Sequence, residues 1–241
     1  METGTGAGEL IANVGLGTIL LAAIALTFIR LALNGRPSGF ARSIREVMES
    51  ILLAGTLVFL IIRPFLFQAF FIPTESMEPT LHGHDKGLSK TMAFYPSTIH
   101  DHLFVNKLLY RFRPPRRGEI VVFRAPKAAD YEGNYKHENI LIKRLIGLPN
   151  DKILVRNGTL FVNDVPQTEP YIRETMNNYQ RSDATYGVEN PYVVPANCYF
   201  FMGDNRNHSW DSRFWGPVTR DRVIGKASFV FWPTARIGKI P

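Results

Sequence analysis

Twenty consecutive residues without a charge, Leu10 to Ile29, lie between Glu9 and Arg30, and no other feature limits the fold of this chain as strongly. A helix of that length spans a hydrocarbon core of ~30 Å, so the sequence predicts a first transmembrane helix over 10–29. A cleaved secretory signal is the competing reading. It calls for basic residues ahead of the apolar core, and only Glu2 and Glu9 stand there. A second apolar run, Ser50 to Ile62, is interrupted by Arg63 and Pro64 and resumes from Phe65 to Ile72. It spans if the helix starts near Ile44 and Arg63 snorkels to the far interface. A buried or interfacial helix is the alternative.

The connection from Arg30 to Arg45 holds Arg30, Arg36, Arg42 and Arg45 and no acid, which places it in the cytoplasm by the positive-inside tendency. The expected organisation follows. An extracytoplasmic N-terminus (1–9) and the first helix (10–29) lead to a basic cytoplasmic loop (30–45). A second transmembrane helix with an interfacial segment (46–72) then returns the chain to the extracytoplasmic side for residues 73–241. The expected location is a plasma membrane crossed more than once.

Of the net charge of +7, all but one unit lies beyond residue 72. A basic domain beside a bilayer is drawn to anionic headgroups, so membrane lipids are expected partners and nucleic acid is not. Cys198 is the only cysteine, which excludes an intrachain disulfide and a cysteine-based zinc site.

From Pro73 onward, short β-branched and aromatic runs alternate with Gly, Pro and Asn, which predicts a mainly β fold. Asn157-Gly158 between Lys152–Arg156 and Thr159–Val162 predicts a two-residue hairpin turn. The polar stretches near 125–139 and 167–197 read as insertions or long hairpins.

Three stretches carry groups able to do chemistry. Ile72-Pro73-Thr74-Glu75-Ser76-Met77-Glu78-Pro79-Thr80-Leu81 frames a hydroxyl between two prolines. Taken alone, an ordinary Ser/Thr/Pro turn is the better explanation. Ile140 to Ile146 reads as a strand with Lys143 at its centre, sharing a face with Leu141 and Leu145 while Arg144 points the other way. Burial among apolar neighbours lowers a lysine pKa and frees the amine as a base. The plainer alternative is a solvated lysine on an edge strand. The third stretch, Phe201 to Pro217, is dense in hydrogen-bonding groups. An extended conformation there puts Ser209, Asp211 and Arg213 on one side, with an Asp–Arg ion pair beside a serine.

Together with Asp101–Lys107 and Arg117–Phe123, these stretches resemble the boxes of the bacterial-type signal peptidase I family, the Ser–Lys leader peptidases, over roughly residues 45 to 232. The resemblance implies a β-rich catalytic domain that removes N-terminal signal peptides from exported preproteins after Ala-x-Ala-like sites through an acyl-enzyme. It implies Ser76 as nucleophile and Lys143 as general base. Ser209 would orient the amine, Asp211 and Arg213 would hold their loop, and Asp204 would support the same region. The Ser76 N–H and the Thr74 hydroxyl would meet the oxyanion, at roughly 3 kcal/mol per donor. Phe70, Ile72, Met77, Leu81, Leu141 and Ile142 match positions lining the small-residue pockets, although each also reads as core. No cofactor and no metal is expected.

Five histidines, His82, His84, His100, His102 and His208, lie in or near these boxes, and two His-x-His pairs are among them. Surface or structural roles rank ahead of a metal site, and a metal site ahead of a Ser-His-Asp triad, because no known carboxylate–histidine zinc spacing is present. Rival functions are a silent peptide-binding β domain, a LexA-like self-cleaving repressor, which needs a DNA-binding N-terminus, and a peptidase dedicated to one substrate.

Overall fold

The computed structural model describes residues 16–32, 39–58, 66–89, 94–129, 139–176 and 184–241. The chain divides into two compact units, Met1–Gln68 and Ala69–Pro241.

The first unit holds two helices, α1 (Leu16–Ala32) and α2 (Gly39–Thr56). Among the described residues no helix is long and apolar enough to cross a membrane, which corrects the expected pair of transmembrane helices. The 17 residues of α1 rise about 25 Å, short of a ~30 Å core. Its last turn carries Arg30, ion-paired with Glu49 of α2 at 2.6 Å. The α2 helix is amphipathic, with Arg42, Arg45, Glu46 and Glu49 spread along it. The second apolar run does not continue as helix either, because Phe67–Phe71 is a β-strand. Residues 10–15 and 59–65 of the two expected spans lie outside the described residues. The multi-pass membrane location, the lipid contacts and the outward-facing catalytic domain rested on those crossings and fall with them. With helices ahead of the sheet, the fold is mixed α/β rather than the mainly β protein behind membrane helices that the sequence predicts.

The second unit is built on one large sheet. Its strand order is Phe67–Phe71, His102–Asn106, Val223–Trp232, Ile120–Arg124, Ile140–Gly147, Cys198–Met202 and Val218–Thr219, with Gly238–Lys239 also paired to Val223–Trp232. Ile120–Phe123 and Cys198–Met202 are buried throughout, so their runs are apolar on both faces, as strands covered from both sides require. Register shifts at Val223/Gly225, Ala227/Phe229, Val230/Trp232 and Phe200/Phe201 add local twist and curl the sheet.

A smaller sheet pairs Val165–Pro166, Thr159–Val162, Lys152–Arg156 and Tyr192–Val193. Its hairpin turns at Asn157 (φ 49°) and Gly158 (φ 75°), the double positive φ that the Asn-Gly pair predicts. Of the two expected insertions, residues 130–138 and 177–183 lie outside the described set. The described part of the second is not all peripheral, since Met176 and Val194 are buried in the cluster beneath the small sheet.

Candidate active site

Thr74 has extended backbone geometry (φ −131°, ψ 152°), and Glu75–Met77 then forms one 3-10 turn. The turn is buried and carries Ser76 at its centre. Apolar packing fixes it from one side, because Ile72, Met77 and Leu81 are each at most 2% exposed and pack with Ile142 and Phe70. From the other side Asn205 donates its backbone N–H to the Ser76 carbonyl at 3.2 Å and its side-chain Nδ2 to the Glu75 carbonyl at 3.1 Å. Tyr95 donates its hydroxyl to Glu75 Oε2 at 2.6 Å.

Lys143 sits on the interior Ile140–Gly147 strand, opposite Val121, and is 3% exposed. The edge-strand alternative is thereby removed. Its Nζ donates to Ser76 Oγ at 2.6 Å. Thr74 Oγ1 is 3.2 Å from the same oxygen, within hydrogen-bonding distance. Burial pulls the lysine pKa down from 10.5 to about 8, against the opposing pull of the Asp211 and Asp204 carboxylates. At pH 7 about a tenth of such an amine is neutral, compared with less than ~0.1% for an unperturbed lysine.

The loop after Cys198–Met202 supplies a frame around this pair. Asp204 is fully buried and accepts from Arg144 twice, at Oδ1 from Nε (2.7 Å) and at Oδ2 from a terminal nitrogen (2.6 Å). Thr80 donates to the same Oδ2 at 2.5 Å. Arg144 lies 3.9 Å from the Tyr171 ring centroid, a cation–π contact. Asp211 accepts from the Gly203 N–H (3.0 Å) and from two guanidinium nitrogens of Arg213 (both 2.9 Å). Burial opposes its ionisation, but Arg213, the Gly203 N–H and the Ser209 hydroxyl together hold its pKa below the ordinary carboxylate value. Arg206 is fully buried against Glu169 in a two-point pair of 2.6 and 2.7 Å.

Gly203 shows how tightly the parts fit. A Cβ there would clash with the Ser76 carbonyl oxygen and with both Oγ and Cβ of Ser209. Gly83 does the same behind the turn, where a Cβ would lie 2.5 Å from the Thr74 carbonyl oxygen.

The structure therefore brings together Ser76, Lys143 and Thr74 in direct contact, with Asp204, Ser209, Asp211 and Arg213 around them. Of the expected pocket residues, Phe70, Ile72, Met77, Leu81 and Ile142 share one apolar cluster. Leu141 packs in another cluster, with Val121, Phe123 and Leu145 on the opposite face of its strand. The Asp211–Arg213 pair forms as expected but not on an extended segment. Asp211 is instead the N-cap of the short helix Ser212–Trp215, accepting from the Arg213 N–H. Sequence reasoning missed Asn205, Gly203 and the partner of Arg144. A second buried cation next to Lys143 on the opposite face was the available signal for Asp204.

A serine hydroxyl on a buried turn, bonded to a buried lysine amine on an antiparallel sheet, is the arrangement of a Ser–Lys serine hydrolase. The family model "Signal peptidase, peptidase S26" matches residues 44–232. Signal peptidase I of Leptolyngbya laminosa is 39% identical over 196 residues, covering 80% of this chain and 84% of that protein. A probable signal peptidase I-2 of Synechocystis sp. is 39% identical over 177 residues, covering 73% and 68% respectively. Signal peptidase I of Bacillus caldolyticus is 36% identical over 177 residues, covering 71% and 83%. The chain belongs to the signal peptidase I family of serine endopeptidases.

Proposed function

We propose that this chain removes N-terminal signal peptides from exported preproteins, with Ser76 as nucleophile and Lys143 as general base. The carrying observation is the 2.6 Å contact between a buried lysine amine and a buried serine hydroxyl. In its neutral form the amine accepts the Ser76 proton along that line as Oγ attacks the scissile carbonyl. The resulting ammonium then protonates the departing amine, leaving an acyl-Ser76 ester. The same amine, neutral again, takes a proton from the water that hydrolyses the ester.

The oxyanion forms beside Ser76, where its own N–H and the Thr74 hydroxyl are the candidate donors. Fixed donors at that point contribute roughly 3 kcal/mol each. Asn205 holds both carbonyls of the turn, so its role is to position the nucleophile. Asp204, Ser209, Asp211 and Arg213 fix the loop that carries Asn205. The apolar cluster of Phe70, Ile72, Met77, Leu81 and Ile142 next to the turn supports a site that selects alanine-sized side chains by steric exclusion. Leu141 keeps its assignment to the pocket only as an indirect wall, since it packs on the far side.

Cleavage of a preprotein bearing an Ala-x-Ala signal peptide, in detergent, tests the reading. Wild-type protein is expected to cut once at that site, while Ser76→Ala and Lys143→Ala give no cleavage. Retained activity in either variant overturns the dyad. The rate is expected to rise with pH through an apparent pKa near 8 and then level, because the unprotonated amine is the active form.

A further inference from the structure

Behind the nucleophile turn, Glu78, His82 and His84 each offer a ligand atom, and these atoms lie within 4.8 Å of one another. We propose that this cluster is a binding site for one divalent cation of the zinc type, which pins the segment directly after Ser76. Two neutral imidazoles and a carboxylate form an ordinary zinc ligand set, with water completing four-coordination. Nothing in the catalytic chemistry above uses these groups, and the proposal departs from the expectation that this chain holds no metal.

Four observations favour a ligand over mere packing. Glu78 and His84 are 2% and 8% exposed, so a carboxylate and an imidazole have been placed in the interior of a turn. Glu78 Oε1 and His84 Nδ1 are already in contact, and the His84 ring is held stacked on Tyr95 at 3.8 Å between centroids. His82 adds a buried Nδ1 that has no hydrogen-bond partner among the described residues. The contrast with His100 is direct, since its two nitrogens are engaged by the Ile72 carbonyl oxygen (2.9 Å) and Asp85 (3.0 Å).

Ligands about a tetrahedral zinc at ~2.0–2.1 Å are separated by ~3.4 Å, so the widest pair must draw in by up to about 1.5 Å while the Glu78–His84 contact opens to admit the ion. The His82 ring, only partly buried, is the one placed to move. Two guanidinium groups flank the cluster, and neither is unopposed. Arg236 is paired to Asp101 at 2.7 Å and 2.9 Å, and Asp101 in turn accepts from the His82 N–H at 2.8 Å. Arg173 approaches Glu78 Oε2 only to 3.7 Å and is itself half exposed.

Position gives the site its meaning. Glu78 is two residues from Ser76. His84 stacks on Tyr95, whose hydroxyl holds Glu75 on the other side of the nucleophile. A cation here ties both flanks of the turn without touching the reacting atoms.

The test is titration of Zn2+ alone into the full chain stripped with EDTA. One ion per chain is expected, with a rise in melting temperature, and binding weakened at least about 100-fold in His82→Asn, since loss of even an outer partner costs 10–100-fold. His100→Ala and Ser76→Ala are expected to bind as the wild type, the latter separating this site from the catalytic reading. Because substitutions in a buried loop can unsettle it, Co2+ added to the wild-type protein gives an independent reading, with the strong visible bands of low-coordinate cobalt expected. Absence of one-to-one binding in the wild type overturns the proposal. So does undiminished binding in a folded His82→Asn, or cobalt bands typical of the six-coordinate aqueous ion.

Discussion

Lys143 and Arg144 are adjacent on one strand and equally buried, at 3% exposed each, yet their two surroundings treat positive charge in opposite ways. On one side Arg144 meets a two-point carboxylate, a threonine hydroxyl on that carboxylate and an aromatic face. On the other, Lys143 meets the Ser76 hydroxyl, and among the described residues no carboxylate pairs with it. A buried cation with a matched anion stays charged and fixes structure. One without a matched anion gives up its proton readily and becomes a base. A strand places neighbouring side chains on opposite faces, so two residues of similar chemistry serve these different ends a few ångströms apart.

Exchanging the two treatments should have the largest effect. Lys143→Arg puts a group that stays protonated where a base is needed, so turnover of the preprotein is expected to fall about 10,000-fold or more. Lys143→Met should abolish activity too, yet stabilise the fold. The folded pKa of about 8 lies below the unfolded 10.5, so the unfolded chain holds the extra proton between those values and stability rises with pH across that window. At pH 7 the burial cost removed is about 3 kcal/mol, readable in urea denaturation against the wild type.

Breaking the paired side comes next. Asp204→Asn strands the Arg144 charge and is expected to destabilise by about 3–5 kcal/mol. Asp204→Leu combined with Arg144→Met should recover most of that loss in the same denaturation experiment. A double variant as unstable as the single one would show that Asp204 matters through Thr80 instead. Thr74→Val sharpens the catalytic side alone, with kcat expected to drop about 100- to 1000-fold, Thr74→Ser to retain activity, and the urea midpoint to stay close to wild type. The smallest effect belongs to Asn205→Ala. Loss of its amide frees the Glu75 carbonyl at roughly 1–3 kcal/mol, seen as a fall in kcat with KM little changed.

Ser76 and Lys143 could be singled out in the sequence only through the resemblance of several ordered stretches, since a hydroxyl framed by Pro73 and Pro79 and a cation in an apolar strand each had a plainer reading alone. The alternation of the Ile140–Gly147 strand was legible as well, and it correctly divided Lys143 from Arg144. What escaped were contacts that depend on how distant segments stack. Leu141 packs with Val121 and Leu145 on the Lys143 face, as alternation requires, so it falls outside the cluster on the other face that Ile142 shares with Ile72, Met77 and Leu81. Asn205 was one polar residue among many, and only the closeness allowed by Gly203 turned it into a clamp on Ser76. The N-terminal runs misled because an uncharged stretch reports apolarity and not helix length. The described part of the first run lies in a 17-residue helix that runs on past Arg30, and the end of the second becomes strand.

The hold of Asn205 on the turn has one more consequence, in time rather than space. Ser76 and Lys143 are 67 positions apart, and Asn205, which clamps the turn, lies 130 positions beyond Glu75. A chain still being synthesised carries the serine long before it carries the clamp. The turn that carries Ser76 therefore gains this clamp only when residues near the carboxy-terminal end of the chain have folded back onto it.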